Sequence, residues 1–532
     1  MANTKLKRNT KQQLGQFMTP LDLCLSIVKD LPLTKDVKIL EPSFGTGNFI
    51  ISLINKLLPL YEGNISSRVE MILKNNIYGI ELDTVLYNTC LKRIEEEFGK
   101  LPLLHNLVND NFLLKEVSNS FDFIVGNPPF GGSIETKDDV FLEKKYGKRD
   151  KIKIKKETYS FFMIKSVELL KNNGCLVFIS SDTFLTIKTM TGLRKFLYKN
   201  GLNNIKRINF FSDETEYPML IITHSKNICQ DYIIIDDNKI SFQDMNLTEN
   251  FSWNITTEYS KYFKGKLLSE YITSSGGMTT GNNELFLREI TNGQIEELYD
   301  FNFIDEKITI KESLEKARNN TLSETKIKEL KKQEENNKTY KKVLITKKEK
   351  LELLSLPNKK YKFYNKASNE IFYSKPYHVI YWDNEGEAVL NFKKTGNWYL
   401  HGVGGQSFFN KKGITWQLIS SKINARFLPE GFILDNSSPI SILKPNTDED
   451  ELYFIMGWLL TEKCTELLKK VINHTKNIQG KDIERLPYPF WVNNKYKEDI
   501  VNIVKKEIDK KINDKKTTDN ILQILENLFV YN

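Results

Sequence analysis

The residues with the most chemical content are Asn127, Pro128, Pro129 and Phe130, which close the apolar run Phe121-Asp122-Phe123-Ile124-Val125-Gly126. Two prolines fix φ and remove two backbone donors, so the Asn127 amide and the Pro128 carbonyl are held in a rigid turn as acceptors. Such a pair suits an amine whose lone pair is conjugated into a ring. The two acceptors bind its two protons and draw the nitrogen toward tetrahedral geometry, while Phe130 stacks on the ring; positioning and electrostatics do the work, and neither acceptor needs to be a strong base. Two further groups point to a ligand. In Glu41-Pro42-Ser43-Phe44-Gly45-Thr46-Gly47, Gly45 and Gly47 let the backbone turn tightly and approach a ligand at a helix N-terminus. In Gly79-Ile80-Glu81-Leu82-Asp83, Glu81 falls where a ribose diol would lie if a nucleoside sat across the strand tips. The pyrophosphate-binding GxGxxG is not matched, because Phe44 stands at its first glycine and Glu41 precedes the turn. An acid there suits the amino group of a zwitterion and not a phosphate.

These groups need elements that bring them to one edge. Short β-branched runs at 37–40, 77–80, 121–125, 175–179, 205–211 and 220–222 alternate with stretches of helical periodicity. Ile50, Leu53, Ile54 and Leu57 mark one helix, and Met163, Val167 and Leu170 another. The alternation predicts an α/β, doubly wound domain over residues 1–240, with a largely parallel sheet. Beyond about residue 240 it is lost, and a charged, helical stretch near 310–362 precedes a mixed region rich in aromatics and glycine. Residues 241–532 are therefore expected to form a second, mixed α+β region.

At 532 residues the chain is long enough for two to four domains. Hydrophobic residues are 40% and charged residues 27%, a globular balance, and the longest apolar stretches, such as 452–460, fall well short of a bilayer span. No membrane segment or secretory signal is expected, and the expected compartment is the cytoplasm. The five cysteines are far apart, with no CxxC and no neighbouring histidine, which indicates neither a disulfide framework nor a metal site. A net charge of +9, from 77 Lys and Arg against 68 Asp and Glu, is compatible with a polyanionic partner.

With Gly15-Gln16-Phe17-Met18-Thr19-Pro20 upstream, these segments resemble motifs X, I, II and IV of the gamma class of DNA amino-methyltransferases, of the TaqI kind. The resemblance covers roughly residues 12–225. It implies a Rossmann-like doubly wound catalytic domain, S-adenosylmethionine as cofactor, and methyl transfer to the N6 amine of an adenine flipped out of double-stranded DNA. It implies catalytic roles for Asn127, Pro128, Pro129 and Phe130, and cofactor contacts for Thr19, Glu41, Gly45, Gly47 and Glu81. In motif III the family's aspartate before Phe-Leu is replaced by Asn111, with Asp110 one residue earlier; Asn111 is assigned to the cofactor adenine amine, Asp110 is the alternative, and Phe112 packs against the same ring. Tyr159-Ser160-Phe161-Phe162 resembles motif V, where Phe162 is either a cofactor-pocket or a core aromatic. Phe211 is the candidate second wall of the base pocket.

Residues 276–286 and 474–489 resemble segments that bracket target-recognition domains in this family, which makes 241–532 a DNA-binding region. A basic cluster directly after the catalytic turn, with Lys144, Lys145, Lys148 and Arg149 at its centre, is assigned to DNA phosphates. The resemblance further implies a monomer and a cognate restriction endonuclease encoded separately. Cytosine N4 is an alternative target, because the amine chemistry is identical, and a protein glutamine amide is another, against which the large basic C-terminal half argues.

Overall fold

The computed structural model describes residues 18–100, 102, 104–118, 120–130, 136–208, 219–228, 230–280, 283–291, 294–297, 349–352, 360–389 and 405–531. The chain divides into two compact units, one of Met1–Lys261 with Lys470–Ile472, the other of Tyr262–Lys469 with Asn473–Asn532.

In the first unit, helix α1 (Leu21–Lys29) leads into β1 (Ile39–Glu41), followed by α2 (Asn48–Leu57), α3 (Ile65–Asn75), β2 (Ile77–Glu81), α4 (Thr84–Phe98), β3 (Asn106–Asn109) and β4 (Phe121–Gly126). Helix α5 (Thr136–Tyr146) and a hairpin of β5 (Lys148–Arg149) and β6 (Ile152–Lys153) form an insertion before α6 (Thr158–Leu169). Then come β7 (Leu170–Ser181), α7 (Thr191–Lys199), β8 (Leu202–Ile208), β9 (Met219–Ser225), β10 (Tyr232–Ile235) and β11 (Asn238–Ser241). Among the described residues the sheet runs β11-β10-β8-β9-β7-β4-β1-β2-β3. Strands β1 to β4 and β7 pair in parallel, whereas β9 is antiparallel to both β7 and β8. Chain order reverses between β1 and β4, so their carboxyl ends open the crevice where doubly wound sheets take their ligands. This is a Rossmann-like doubly wound arrangement, and the reversed β9 sits in a sheet that is largely parallel, as expected.

The expected helical faces are the packed ones. Ile50, Leu53, Ile54 and Leu57 of α2 are all fully buried, in one core with Ile39, Ile72, Ile77, Ile94 and Val125. That core holds the carboxyl ends of β1, β2 and β4 at fixed separation, because interiors packed at crystal-like density do not yield to small displacements. Strand β3 was not among the expected strands. Its apolar content is two residues, and its flanking asparagines bond outward, Asn106 to the carbonyl of Lys74 (2.7 Å) and Asn109 to that of Glu81 (2.7 Å).

His224 on β9 is fully buried, and neither ring nitrogen has a hydrogen-bond partner among the described residues. Burial lowers its pKa from an ordinary 6.5 to about 4. The folded chain therefore holds neutral imidazole where the unfolded chain would bind a proton, so stability present above pH 6.5 is lost as the pH falls toward 4, by at most about 3 kcal/mol. Urea melts at pH 7.5 and 4.5 are expected to show that loss in the native chain and a smaller one in His224→Met. An equal loss in both would place the acid sensitivity elsewhere.

Among the described residues the second unit contains two sheets, β12 (Ile272–Ser275), β21 (Ile440–Leu443), β18 (Gly413–Thr415) and β19 (Arg426–Leu428) in that order, and a second ordered β15 (Glu349–Glu352), β14 (Gln294–Glu297), β13 (Leu287–Thr291), β17 (His378–Tyr381), β16 (Tyr361–Asn365) and β20 (Phe432–Leu434). Its described helices include α8 (Asp450–Leu459), α9 (Glu462–Leu467), α10 (Asn494–Ile512) and α11 (Ile521–Leu528). Of the stretch expected to be a charged helix, 310–348 and 353–359 lie outside the described residues, and its described parts belong to β15 and β16. Of the two segments expected to bracket this region, the second, 474–489, packs against β12, just ahead of the first. A Cβ on Gly480 would come within 2.7 Å of Ser274 Cβ, and Glu484 accepts from the Ser274 amide at 2.7 Å.

Candidate active site

The turn after β1 is shaped by its glycines. Gly45 and Gly47 have φ of +55° and +90°, and a Cβ on Gly47 would lie 2.3 Å from Cys90 Sγ, so only glycine fits. The turn is tied down from two sides. Glu81, at the tip of β2, accepts from the Gly45 amide (2.7 Å) and from the Asp83 amide (2.8 Å). Arg93, on α4, donates to the Thr46 carbonyl (2.6 Å) and to Asn48 Oδ1 (2.8 Å). Asp83 in turn caps α4, accepting from the amides of Val85 (2.8 Å) and Leu86 (3.1 Å).

Glu41, at the tip of β1, is 1% exposed, and its Oε2 has no hydrogen-bond partner among the described residues. Burial, and next the Glu81 carboxylate, push its pKa well above the usual carboxylate range. A buried acid without a cationic partner is costly, and it marks a place that an ammonium group would complete.

The segment after β3 forms the neighbouring wall. Asn111 Oδ1 accepts from the Leu113 amide (3.0 Å), while Asp110 accepts from the Asn111 amide (2.7 Å) and pairs with Lys115 (2.8 Å). Phe112 is buried against Phe162, with ring centroids 5.0 Å apart. Beneath this loop lies a residue that sequence reasoning missed. Lys165 of α6 is 5% exposed and bonds the carbonyls of Phe112 and Lys115, its Nζ lying 4.7 Å from the Phe112 ring centroid. The sequence offers no more than a lone lysine among apolar neighbours, and its burial in α6 is what reveals it.

Asn127 lies at the tip of β4, next to β1. Its Nδ2 donates to Thr19 Oγ1 (3.2 Å), and its backbone carbonyl accepts from Ser43 Oγ (3.2 Å). Gly126 fits closely against the acid of β1, since a Cβ there would lie 2.6 Å from Glu41 Oε1. Phe130 packs beside Tyr159, centroids 5.9 Å apart, and Tyr159 beside Phe184. Thr19, Glu41, Gly45, Gly47, Glu81 and Asn127 are thus gathered at the carboxyl ends of β1, β2 and β4. Phe211 lies outside the described residues.

In the insertion, Leu142 and Tyr146 anchor α5, Tyr146 packing on Phe161 of α6 at 5.8 Å. Lys144, Lys145 and Lys148 are exposed. Arg149, grouped with them from the sequence, is turned inward: its guanidinium bonds the carbonyls of Lys145 (2.7 Å) and Lys148 (2.9 Å) and pairs with Glu168 (2.6 Å). A planar fork of donors at a helix end is drawn to orphan carbonyls.

Residues 61–216 match the Eco57I restriction-modification methylase family. They form an Eco57I-like methylase domain. Over 213 residues the chain is 30% identical to the type II methyltransferase M.HincII of Haemophilus influenzae, covering 39% of this chain and 35% of that protein. It is 31% identical over 214 residues to the type II methyltransferase M.BstVI of Geobacillus stearothermophilus, covering 36% and 38%. The matches thus span little more than a third of the length of these relatives. A solved DrdV–DNA complex shares the fold across 94% of this chain and 57% of that one, with a TM-score of 0.56 and 12% identity. The cofactor of the methylase domain is S-adenosylmethionine. The residues present fit it: the unpartnered Glu41 carboxyl suits its ammonium, Glu81 has a second lone pair on each oxygen for ribose hydroxyls, and the Gly47 turn leaves the backbone open to close approach.

Proposed function

We propose that this chain methylates the N6 amine of an adenine in double-stranded DNA. The observation that carries the reading is the Asn127-Pro128-Pro129-Phe130 turn set at the tip of β4 beside the buried Glu41. Asn127 Oδ1 and the Pro128 carbonyl accept the two amine protons, which localises the nitrogen lone pair. Pro129 stiffens the turn, and Phe130 stacks on a base that must leave the duplex to reach it. Glu41, Glu81, Gly45, Gly47 and Thr19 hold the methyl donor, with Phe112, Phe162 and Asn111 about its adenine; the donor supplies an electrophilic methyl on a sulfonium. Phe211 is the proposed opposite wall of the base pocket. The likeness to type II methyltransferases supports a restriction-modification role; a separately encoded nuclease and a monomeric chain belong to the proposal on the family resemblance alone. Methylome sequencing of a host expressing the protein tests the reading. N6-methyladenine at one recurrent sequence is expected, whereas N4-methylcytosine or an unmodified genome would overturn the adenine assignment.

Lys144, Lys145 and Lys148 are proposed to bind phosphates; Arg149, engaged within the insertion, is proposed to brace them. Changing the three lysines to glutamine should flatten the log-log salt dependence of DNA binding by about 0.9 for each phosphate that is no longer neutralised. Cognate and non-cognate duplexes should weaken together, because phosphates carry no base information. An unchanged slope would mean that the cluster is only solvated.

A further inference from the structure

An asparagine amide has two ends of opposite character, and amine capture uses only one of them. With the oxygen forward, Asn127 accepts a proton from the target amine. Turned over, it presents its own N–H groups to another donor. The proposed reaction therefore depends on what holds the Asn127 nitrogen, and the structure contains a continuous chain of groups that ends on it. Arg93 donates to Asn48 Oδ1 at 2.8 Å, Asn48 Nδ2 donates to the Thr19 carbonyl at 2.7 Å, and Asn127 Nδ2 donates to Thr19 Oγ1 at 3.2 Å.

The first links of this chain have a definite polarity. A guanidinium has donors and no acceptor, so the amide of Asn48 must turn its oxygen to Arg93 and its nitrogen to Thr19. That nitrogen anchors the backbone of Thr19, which is 7% exposed. The same Arg93 nitrogen also holds the Thr46 carbonyl at 2.6 Å, so the anchor is shared with the turn that receives the cofactor. Pro20 follows Thr19 directly and restricts its backbone to extended conformations. A threonine fixed in this way keeps its hydroxyl at one point, within reach of the amide nitrogen at the tip of β4.

We propose that Thr19 is a positioning residue for Asn127: its hydroxyl holds the amide nitrogen so that the oxygen meets the target amine, and Asn48 and Arg93 hold Thr19. The inference rests on the reading of Asn127 as the amine-binding residue and deepens it. It gives Thr19 a task beyond the cofactor contact implied by the family resemblance, and it gives Asn48 and Arg93 a task where none was assigned. The two tasks of Thr19 separate experimentally. A cofactor ligand acts through affinity, whereas a residue that orients the amide acts on turnover at saturating cofactor.

The test uses the full chain and a duplex containing the sequence found by methylome analysis. Three quantities are measured: kcat at saturating S-adenosylmethionine, the Kd for S-adenosylhomocysteine by calorimetry, and flipping by the fluorescence of 2-aminopurine at the target position. Thr19→Val removes the hydroxyl at nearly constant volume. It is expected to lower kcat at saturating cofactor by about ten- to a hundredfold, over and above whatever the lost cofactor contact costs in Kd, with flipping within about threefold of the native chain. Thr19→Ser, which restores the hydroxyl, is expected to recover kcat to within about threefold. Asn48→Asp keeps an acceptor for Arg93 but sets a carboxylate oxygen against the Thr19 carbonyl, and it should lower kcat in the same direction. It decides the matter if Thr19→Val does not fold. Unchanged kcat in Thr19→Val, or a loss appearing wholly as weaker cofactor binding, would overturn the inference. Failure of the underlying reading looks different, since Asn127→Ala would then be active.

Discussion

Asn127→Ala is expected to lower methyl transfer by on the order of a thousandfold or more while cofactor affinity stays within a few-fold of the native value. The substitution removes the acceptor proposed to bind one amine proton and leaves the conjugated nitrogen a poor nucleophile. It leaves Glu41, Glu81 and the Gly45-Thr46-Gly47 turn in place, because the turn is held by Glu81 and Arg93 while the Asn127 amide reaches Thr19. The Pro128 carbonyl and the Phe130 ring remain, so the base should still enter the pocket. A radiolabelled-methyl assay beside a calorimetric titration with S-adenosylhomocysteine separates the two quantities. Turnover near the native rate would remove Asn127 from the chemistry.

The second large effect is expected at Glu81. Glu81 is 4% exposed and its carboxylate receives the amides of Gly45 and Asp83, so Glu81→Ala leaves two N–H groups without their acceptor at the point where the Gly45 turn meets β2. Loss of a charge-assisted bond to ribose alone should cost on the order of 1.5 to 3 kcal/mol of affinity, roughly ten- to 150-fold in Kd. Disorder of the Gly45 turn adds to that cost. The unfolding midpoint should also drop, since a stranded buried donor costs about 1 to 3 kcal/mol. Calorimetry and thermal melts on the same preparation check both. Unchanged affinity with a lowered midpoint would leave Glu81 as a brace for the turn and not a ligand.

What could be read from the sequence follows from how local each feature is. Strands β1, β2, β4 and β7 are β-branched runs that end in punctuating residues, and the face of α2 is a period-3.6 stripe, so both declare themselves within about ten residues. The glycine turn and the Asn-Pro-Pro-Phe turn are local in the same way. Strand β3 hid because two asparagines dominate it, and its strand character comes from pairing with β2, about 30 residues earlier. Arg93 and Asn48 hid for a stronger reason: each is an ordinary helical residue until the fold brings the two together across 45 positions. Lys165 reads as a solvent-facing lysine, and only the burial of every side of α6 reveals that its ammonium is directed at the loop of Phe112. Arg149 shows the converse, a basic residue in a basic run whose guanidinium is claimed by carbonyls of its own insertion and by the Glu168 carboxylate of α6.

The burial of Glu41 bears on how the proposed methyl donor would be held. Before an ammonium arrives, the buried carboxyl favours its neutral form. An adjacent cation reverses that preference, because opposite charges in a low-dielectric pocket stabilise each other strongly. If Glu41 holds the donor's ammonium, as proposed, taking up the donor is coupled to giving up a proton, and affinity for it should rise with pH until the free carboxyl is itself ionised. On that reading the single carboxyl at the tip of β1 would tie methylation capacity to ambient pH through binding and not through the chemistry of transfer.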